Sequence, residues 1–427
     1  MVFLFPTLLL LLLLGFPIFI SLGLASMSIF TFKFSHIPLV VVIQRMFAGM
    51  DNFAIMSMPF FILAANVAAR GELSKRILNL AECMVGHFHG GLALTGILAC
   101  MFFGAVSGSS PATVVAIGSL VYPILLERGY ARDFSLGLVT SSSAVAIIIP
   151  PSITMILYAV VSGESVGALF MSGFGAGLTY GLCFMAYSVY YARKYKISAQ
   201  PRANLKKVFD VTLSALWALG LPIIIVGGIY GGIFTPTEAG GVSAVYAIVI
   251  EIFVYKSIKL NDVFKISIDS AITTAQVYIL VAAGTVFAWL LIVSQTPQVL
   301  TNFVNSLHAS RVVILVIINF VFLIAGMFID PSSIIVVFTP LFLPIALSYG
   351  ISSLHLGIIV TVNIAIGMFS PPFGLNLFVA SGLFKVSIDE LVPGLIPFIV
   401  MSIIGLMILT YVPQISLWLP EMVYSFK

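Results

Sequence analysis

Long apolar stretches separated by short polar clusters run the length of the chain. Residues 3–32, 83–126, 134–163, 165–192, 211–237, 270–310 and 331–384 contain no Asp, Glu, Lys or Arg. A membrane-spanning helix needs about 20 largely apolar residues, and every one of these runs supplies them. The polar positions inside the runs do not alternate with the period of two that a barrel strand requires, so the pattern predicts helices. The first run has no basic leader and continues past Pro17, so it predicts a retained helix over 3–30 rather than a signal peptide. Residues 76–90 and 297–311 are amphipathic and too polar to span, which predicts helices lying along the membrane surface.

Composition sharpens this picture. The 427 residues are 61% hydrophobic and 8% charged, against about 25% charged in a typical soluble domain. Too few polar groups remain to cover a soluble surface. This excludes a soluble enzyme, a nucleic-acid binder and a disordered scaffold, and leaves an all-α polytopic protein whose solvent is the lipid bilayer. Cys83, Cys100 and Cys183 lie in apolar stretches without paired spacing, so they suggest neither disulfide nor metal. His87 and His89 sit among glycines at the end of a surface helix and have no metal-ligand spacing.

The chain also repeats itself. Pro123-Ile124 matches Pro344-Ile345, Gly129 matches Gly350, Thr140 matches Thr361, Ala144 matches Ala365, and Pro150-Pro151 matches Pro371-Pro372, each at an offset of 221. That offset pairs helix 3–30 with 238–254, helix 53–69 with 274–294, and helix 165–192 with 393–412. The segment 208–237 remains between the halves as a single linker helix. Each half, 1–207 with its basic loop and 238–427, then has an even number of crossings, and one linker helix inverts the second. With the N-terminus in the cytoplasm and the C-terminus outside, fifteen Lys and Arg face inward, six of them in the loop 193–207. Only Lys33, Arg45, Arg311 and Lys427 face outward. That bias is the one membrane insertion favours.

Helix-breaking residues fall inside four apolar runs, in two matched pairs. Ser107-Gly108-Ser109-Ser110-Pro111 and Ile329-Asp330-Pro331-Ser332-Ser333 each sit midway along a run, which predicts re-entrant hairpins over about 91–126 and 311–347. Ile149-Pro150-Pro151-Ser152 and Ser370-Pro371-Pro372-Phe373-Gly374 predict broken helices over about 134–163 and 355–384, because two adjacent prolines remove two N–H donors. A lone proline kinks many membrane helices without functional consequence. Four breaks in symmetric pairs match the discontinuous helices of secondary transporters instead. Unwound carbonyls and Ser or Thr hydroxyls suit a hard cation such as sodium, and half-helix N-termini suit an anion.

Single residues refine the sites. Asp330 is the one formal charge between Arg311 and Lys385 and falls at a hairpin tip, where a carboxylate binds or supports a cation, takes up a proton, or is simply hydrogen-bonded near water. Thr140 and Thr361 lie ten residues before the breaks and read as packing groups. Ser142 and Asn363 are symmetry mates about two turns before the breaks and are candidates to face the centre. Glu164 reads as interfacial. His355 has no evident partner, and no His-Glu-x-x-His motif or paired-acid constellation supports an intramembrane enzyme.

Four stretches carry a resemblance: Gly104-Ala-Val-Ser-Gly-Ser-Ser-Pro-Ala-Thr113, Ile147-Ile-Ile-Pro-Pro-Ser152, Gly231-Gly-Ile-Phe-Thr-Pro-Thr-Glu-Ala-Gly240 and Met368-Phe-Ser-Pro-Pro-Phe-Gly-Leu-Asn376. In this order, across essentially the whole chain, they resemble the large membrane subunit of tripartite ATP-independent periplasmic (TRAP) transporters. Thr235-Pro236-Thr237-Glu238-Ala239 is the most specific of them. The resemblance implies an elevator-type fold of the ion-transporter superfamily, with a scaffold and a mobile domain holding both hairpins and both broken helices. It implies sodium-coupled import of an organic acid, of the dicarboxylate or sialic acid type, across the bacterial inner membrane, with sodium as coupling ion and no other cofactor. It implies two partners: a periplasmic substrate-binding protein and a separate small four-helix membrane subunit.

Carried onto this sequence, one sodium site uses Ser107, Ser109, Ser110 and the backbone around Ile149 and Pro150. The other uses Asp330, Ser332, Ser333 and the backbone around Gly367 and Ser370. Substrate would sit between them near Thr113, Ser152 and Asn376. Lys and Arg are absent from the hairpin and broken-helix cores, so a carboxylate substrate relies on helix N-termini, hydroxyls and bound sodium. The rival readings are a self-sufficient sodium- or proton-coupled anion symporter or antiporter, and a passive channel.

Overall fold

The computed structural model describes residues 4–32, 34 and 37–424; Lys33 and Lys427, counted above as outward-facing, lie outside them. The elements among the described residues are all helical. The first half runs α1 (Leu4–Leu13), α2 (Ile18–Phe32), α3 (Val40–Met50), α4 (Ser57–Arg70), α5 (Leu73–Val85), α6 (Gly91–Ser107), α7 (Ser110–Glu127), α8 (Arg132–Ser142), α9 (Ile153–Ser162) and α10 (Val166–Lys194). Helix α11 (Leu205–Tyr230) leads into α12 (Pro236–Val254), α13 (Leu260–Val293), α14 (Thr296–Ser306), α15 (Arg311–Phe328), α16 (Pro331–Ser348), α17 (Ser353–Gly367), α18 (Leu375–Phe384), α19 (Ile388–Tyr411) and α20 (Gln414–Tyr424). By length and composition, eight helices among the described residues are able to cross a membrane.

Helix bounds recur along the chain. Helix α7 begins at Ser110 and α16 at Pro331, an offset of 331 − 110 = 221, and both helices are 18 residues long. The same shift carries the cis Pro150–Pro151 bond onto the cis Pro371–Pro372 bond, and Gly129 onto Gly350, both with positive φ. Helix α4 maps onto residues 278–291 of α13. These two helices run antiparallel: Tyr278 donates to Ile55 O at 3.2 Å, Asn66 Nδ2 donates to Ser270 Oγ at 2.9 Å, and Arg70 pairs with Asp269 at 2.5 Å. Equivalent segments of the two halves therefore point in opposite directions.

One expectation is corrected. The described part of the first run, expected as one helix over 3–30, forms α1 and α2, packed against each other. The signal is Gly15 with φ +80°, whose N–H donates to Leu12 O while Phe16 N donates to Leu11 O, the two bonds of a Schellman stop. Pro17 then opens α2 without an N–H to lose. Phe5 and Phe30 both reach the same end of α13, against Phe287 and Trp289. Leu4 accordingly lies at the end of α13 remote from Lys259 and Lys265, and the N-terminal side expected from a single crossing does not follow.

Helices α2, α3, α4, α11, α12 and α13 pack into a frame, and α6–α10 with α15–α20 pack into a core block. The amphipathic segments are shorter than their sequence ranges, α5 and α14, and each lies against a hairpin: α5 on α6, α14 on α16. Glu251 anchors α5. It is fully buried in the last turn of α12, and its carboxylate accepts the N–H groups of Glu72 and Leu73, each at 3.0 Å, and the Ser257 hydroxyl. Those are orphan donors at the start of α5, capped by a charge of the right sign. Arg76 then sits over the Tyr255 ring at 5.4 Å.

Glu251→Ala leaves the N–H groups of Glu72 and Leu73, one partly and one fully buried, without their acceptor, a loss of about 2–4 kcal/mol. The expected outcome is a lower unfolding midpoint in detergent and faster tryptic cleavage at Arg70, Lys75 and Arg76, with Glu251→Gln intermediate.

Candidate functional site

The first hairpin, α6 and α7, turns at Gly108, whose φ of +56° suits glycine. A Cβ there would also stand 2.3 Å from Pro151 O, so this glycine lets the tip settle onto the first break. Ser109 is extended and starts α7. The Thr113 hydroxyl donates to Ser109 O at 2.8 Å and lies 3.1 Å from Ser107 Oγ, which gathers three oxygens inside the tip. Below it α8 tightens into a 3-10 turn over Ser143–Ile147, then breaks at the cis prolines. Ser152 caps α9: its Oγ donates to Ile147 O at 2.6 Å and accepts Met155 N–H at 3.3 Å.

The second hairpin, α15 and α16, has no glycine at its tip. Ile329 is extended, and Asp330 is the N-cap of α16, its carboxylate accepting Ser333 N–H at 3.1 Å and the Ser333 hydroxyl. Gly326 of this hairpin packs backbone to backbone on Gly367, the last residue of α17 before the second break. Phe328 packs against Phe373 at 5.7 Å between ring centres. Across the break, Asn376 N–H donates to Met368 O at 2.8 Å, and the Ser370 hydroxyl folds back onto Ile366 O at 2.7 Å.

Both tips and the flanks of both breaks face one cavity of about 840 Å³. Ser107, Ser109, Ser110, Asp330, Ser332 and Ser333 lie on its wall. Ile149, Pro150, Gly367 and Ser370 are buried behind that wall, in the breaks themselves. Thr113, Ser152 and Asn376, expected beside substrate, are fully buried and are not part of the wall; Thr113 and Ser152 bond to backbone, and Asn376 donates through Nδ2 while its Oδ1 is buried without a partner among the described residues. Asp330 is the one formally charged residue in the lining.

Sequence reasoning did not find the frame side of the cavity. Asn66 of α4, Thr273 and Gln276 of α13, and the α1–α2 turn at Pro17, Ile18 and Phe19 close it. Two signals were present: Asn66 and Gln276 are side-chain amides inside apolar runs, and Gly15-Phe16-Pro17 is a stop followed by a start. Away from the cavity, His355 and Asn363 join a buried polar cluster. His355 Nε2 lies 3.1 Å from Thr410 O, and Asn363 Nδ2 donates to Asn319 Oδ1 at 2.7 Å.

Two tip-and-break assemblies from two related halves, facing one cavity in a membrane-spanning helical chain, mark a transport protein rather than an enzyme. The chain belongs to the tripartite ATP-independent periplasmic transporter family, DctM component, whose model matches residues 5–415. It is 42% identical over 433 residues, 98% of each chain, to the C4-dicarboxylate TRAP transporter large permease protein DctM of Rhodobacter capsulatus. It is 40% identical to the ectoine TRAP transporter large permease protein TeaC of Halomonas elongata, over 97% of each chain. It is 42% identical to the isethionate TRAP transporter permease protein DctMQ of Oleidesulfovibrio alaskensis, over 95% of this chain and 64% of that one. Among solved structures, the Alcanivorax borkumensis YdaH transporter has a similar fold, with a TM-score of 0.60 at 15% identity over 89% of this chain and 87% of that one.

The cap geometry separates the roles of Asp330. Asp330→Asn keeps an oxygen for Ser333 N–H, so the unfolding midpoint is expected to stay near wild type while transport falls through loss of charge. Asp330→Ala also removes the cap, worth about 1 kcal/mol, and is expected to lower both. Thermal unfolding and uptake measured side by side check this.

Proposed function

We propose that this TRAP permease imports a small organic acid across the bacterial inner membrane, driven by an inward sodium gradient, through an elevator movement of the core block against the frame. The observation that carries the reading is the cavity itself. Its polar wall is built from both tips, from Thr154 beside the first break and from Asn66, Thr273 and Gln276 of the frame, and it offers one carboxylate and no Lys or Arg. An anion entering there has to be compensated by cations that arrive with it, because an unpaired charge in a dry site is costly. Oxygen clusters such as Ser107, Thr113 and the Ser109 carbonyl are ligands of the hard-cation type. Each proline pair also removes two N–H donors, which frees carbonyls one turn earlier.

The opposite directions of α4 and its equivalent in α13 support inverted repeats, and with them re-entrant hairpins. With the Lys259 and Lys265 end of α13 inside, as the positive-inside rule favours, Leu4 faces the periplasm. The partners in this reading are a periplasmic binding protein that delivers the acid and a small four-helix membrane subunit against the frame. Relatives named for C4-dicarboxylate, ectoine and isethionate are about equally similar, so substrate choice is left to the cavity and the binding protein. A compact dicarboxylate fits the charge argument best, ahead of a sialic acid.

The test is uptake into proteoliposomes holding this chain with its small-subunit and binding-protein neighbours. Labelled succinate, isethionate, ectoine and sialic acid serve as separate probes. One probe is expected to accumulate, and to stop when either sodium or the binding protein is omitted. Accumulation without the binding protein would favour a self-sufficient symporter, and indifference to sodium would favour proton coupling or a channel.

A further inference from the structure

One side chain hydrogen-bonds from the second tip-and-break assembly to the first. Asn376, two residues past the second break and fully buried, reaches into the first half. Its Nδ2 donates to Ser110 Oγ at 2.7 Å, in the first turn after the first tip. The same nitrogen donates to Thr140 O at 3.2 Å, on the first broken helix. Its backbone N–H meanwhile spans the second break to Met368 O at 2.8 Å. One residue thus touches the first tip, the first broken helix and the second break.

The link has no counterpart. By the repeat offset, the mate of Asn376 is Met155 and the mate of Ser110 is Pro331, so neither partner of the bond recurs. The second tip satisfies itself through Asp330 and Ser333. Half-helices do cross between the halves in both directions: α18 packs on α7, with Phe384 against Tyr122 at 4.6 Å, and α9 packs on α16. The amide bond to a tip runs one way, from the second half to the first.

We propose that Asn376 is a positioning residue that couples the two assemblies, so that order at the second break fixes the first tip and the reverse. Resting on the sodium reading above, this makes the two ions bind cooperatively and places Asn376 outside the substrate contact set. The physical reason is linkage: a buried bond shared by two sites transmits the ordering of either one to the other, reciprocally. An amide is suited to this, since its two hydrogens serve two acceptors at once.

Hydrogen exchange of the full permease in lipid nanodiscs, without substrate, tests the link directly. Asn376→Ala is expected to raise exchange of the tip amides 107–113 on the order of tenfold, since a lost buried hydrogen bond is of that size. Ser110→Ala is expected to raise exchange at 368–378, across the molecule, and the double change to add nothing further at either place. If each change is felt only at its own end, the coupling is overturned, and Ser110→Ala decides this even where Asn376→Ala fails to fold. The sodium reading is read separately. In wild type, added sodium should protect both regions, and in Asn376→Ala the sodium dependence of uptake should lose its cooperativity with the substrate KM unchanged at saturating sodium. Wild-type exchange and uptake indifferent to sodium would end the ion reading and leave the sodium-free exchange result standing. A raised substrate KM with cooperativity intact would return Asn376 to the substrate site.

Discussion

Lipid offers no hydrogen bonds, and this protein breaks its own helices twice in an apolar core. Every unwound amide and carbonyl around Pro150-Pro151 and Pro371-Pro372 has to find a partner inside the chain or in a polar cavity. Much of the architecture follows from that requirement. Each break is covered by a hairpin tip, Gly108 over Pro151 O in one half and Gly326 over Gly367 in the other. Serines next to the breaks take up freed carbonyls, as Ser152 does for Ile147 O and Ser370 for Ile366 O. The flanks of both breaks meet a common cavity, where polar backbone is tolerated without a protein partner.

The halves meet that requirement with different residues. The first tip uses a positive-φ glycine and a hydroxyl cluster, whereas the second uses a self-capped aspartate. The second half also carries the buried His355, Asn319 and Asn363 cluster where the offset puts Phe134, Leu98 and Ser142 in the first. Backbone symmetry is thus kept while side-chain chemistry diverges. The repeat supplies the geometry of two sites, and departures from it are where the two sites acquire distinct roles.

This division also explains what the sequence disclosed. Proline pairs, Gly108 and the Asp330-Pro331 step act on the backbone locally, so the tips and breaks were legible at residue resolution, although the cap that Asp330 forms was not read. Thr113, Ser152 and Asn376 were expected beside substrate, but the direction of each side chain depends on which neighbour it meets, and all three are buried off the cavity wall. For Asn376 that neighbour is 266 residues away. The α1–α2 turn was missed because an unbroken leucine run outweighed a three-residue stop signal, although Gly15 and Pro17 were in view. The frame wall was missed for a related reason. Asn66 and Gln276 are ordinary polar residues until the antiparallel pairing of α4 and α13 brings them to the cavity.

The elevator reading requires the core block to slide while frame and core each stay rigid, and the distribution of bond types is consistent with it. Among the described residues, several directional contacts of the frame fall within the frame: Asn66 with Ser270, Arg70 with Asp269, Tyr278 with Ile55 O, Thr237 with Phe53 O. Several of the core block fall within the core block: Asn376 with Ser110, Tyr158 with Ser353 O, Tyr180 with Ser402, Arg132 with Glu390. Where α13 of the frame meets α16 of the core block, the contact is apolar, with Leu280 and Ala283 in one cluster with Val337 and Leu341. Apolar contact is non-directional, so displacement along it exchanges one set of neighbours for another at little cost, while a hydrogen bond would fix the register. The arm α5 is tied by Glu251 to the frame and lies on the first hairpin, so in the elevator reading it bridges the two bodies as a strap. A rigid pair of bodies with an apolar seam is the mechanical condition for carrying both tips, with whatever they hold, as one unit.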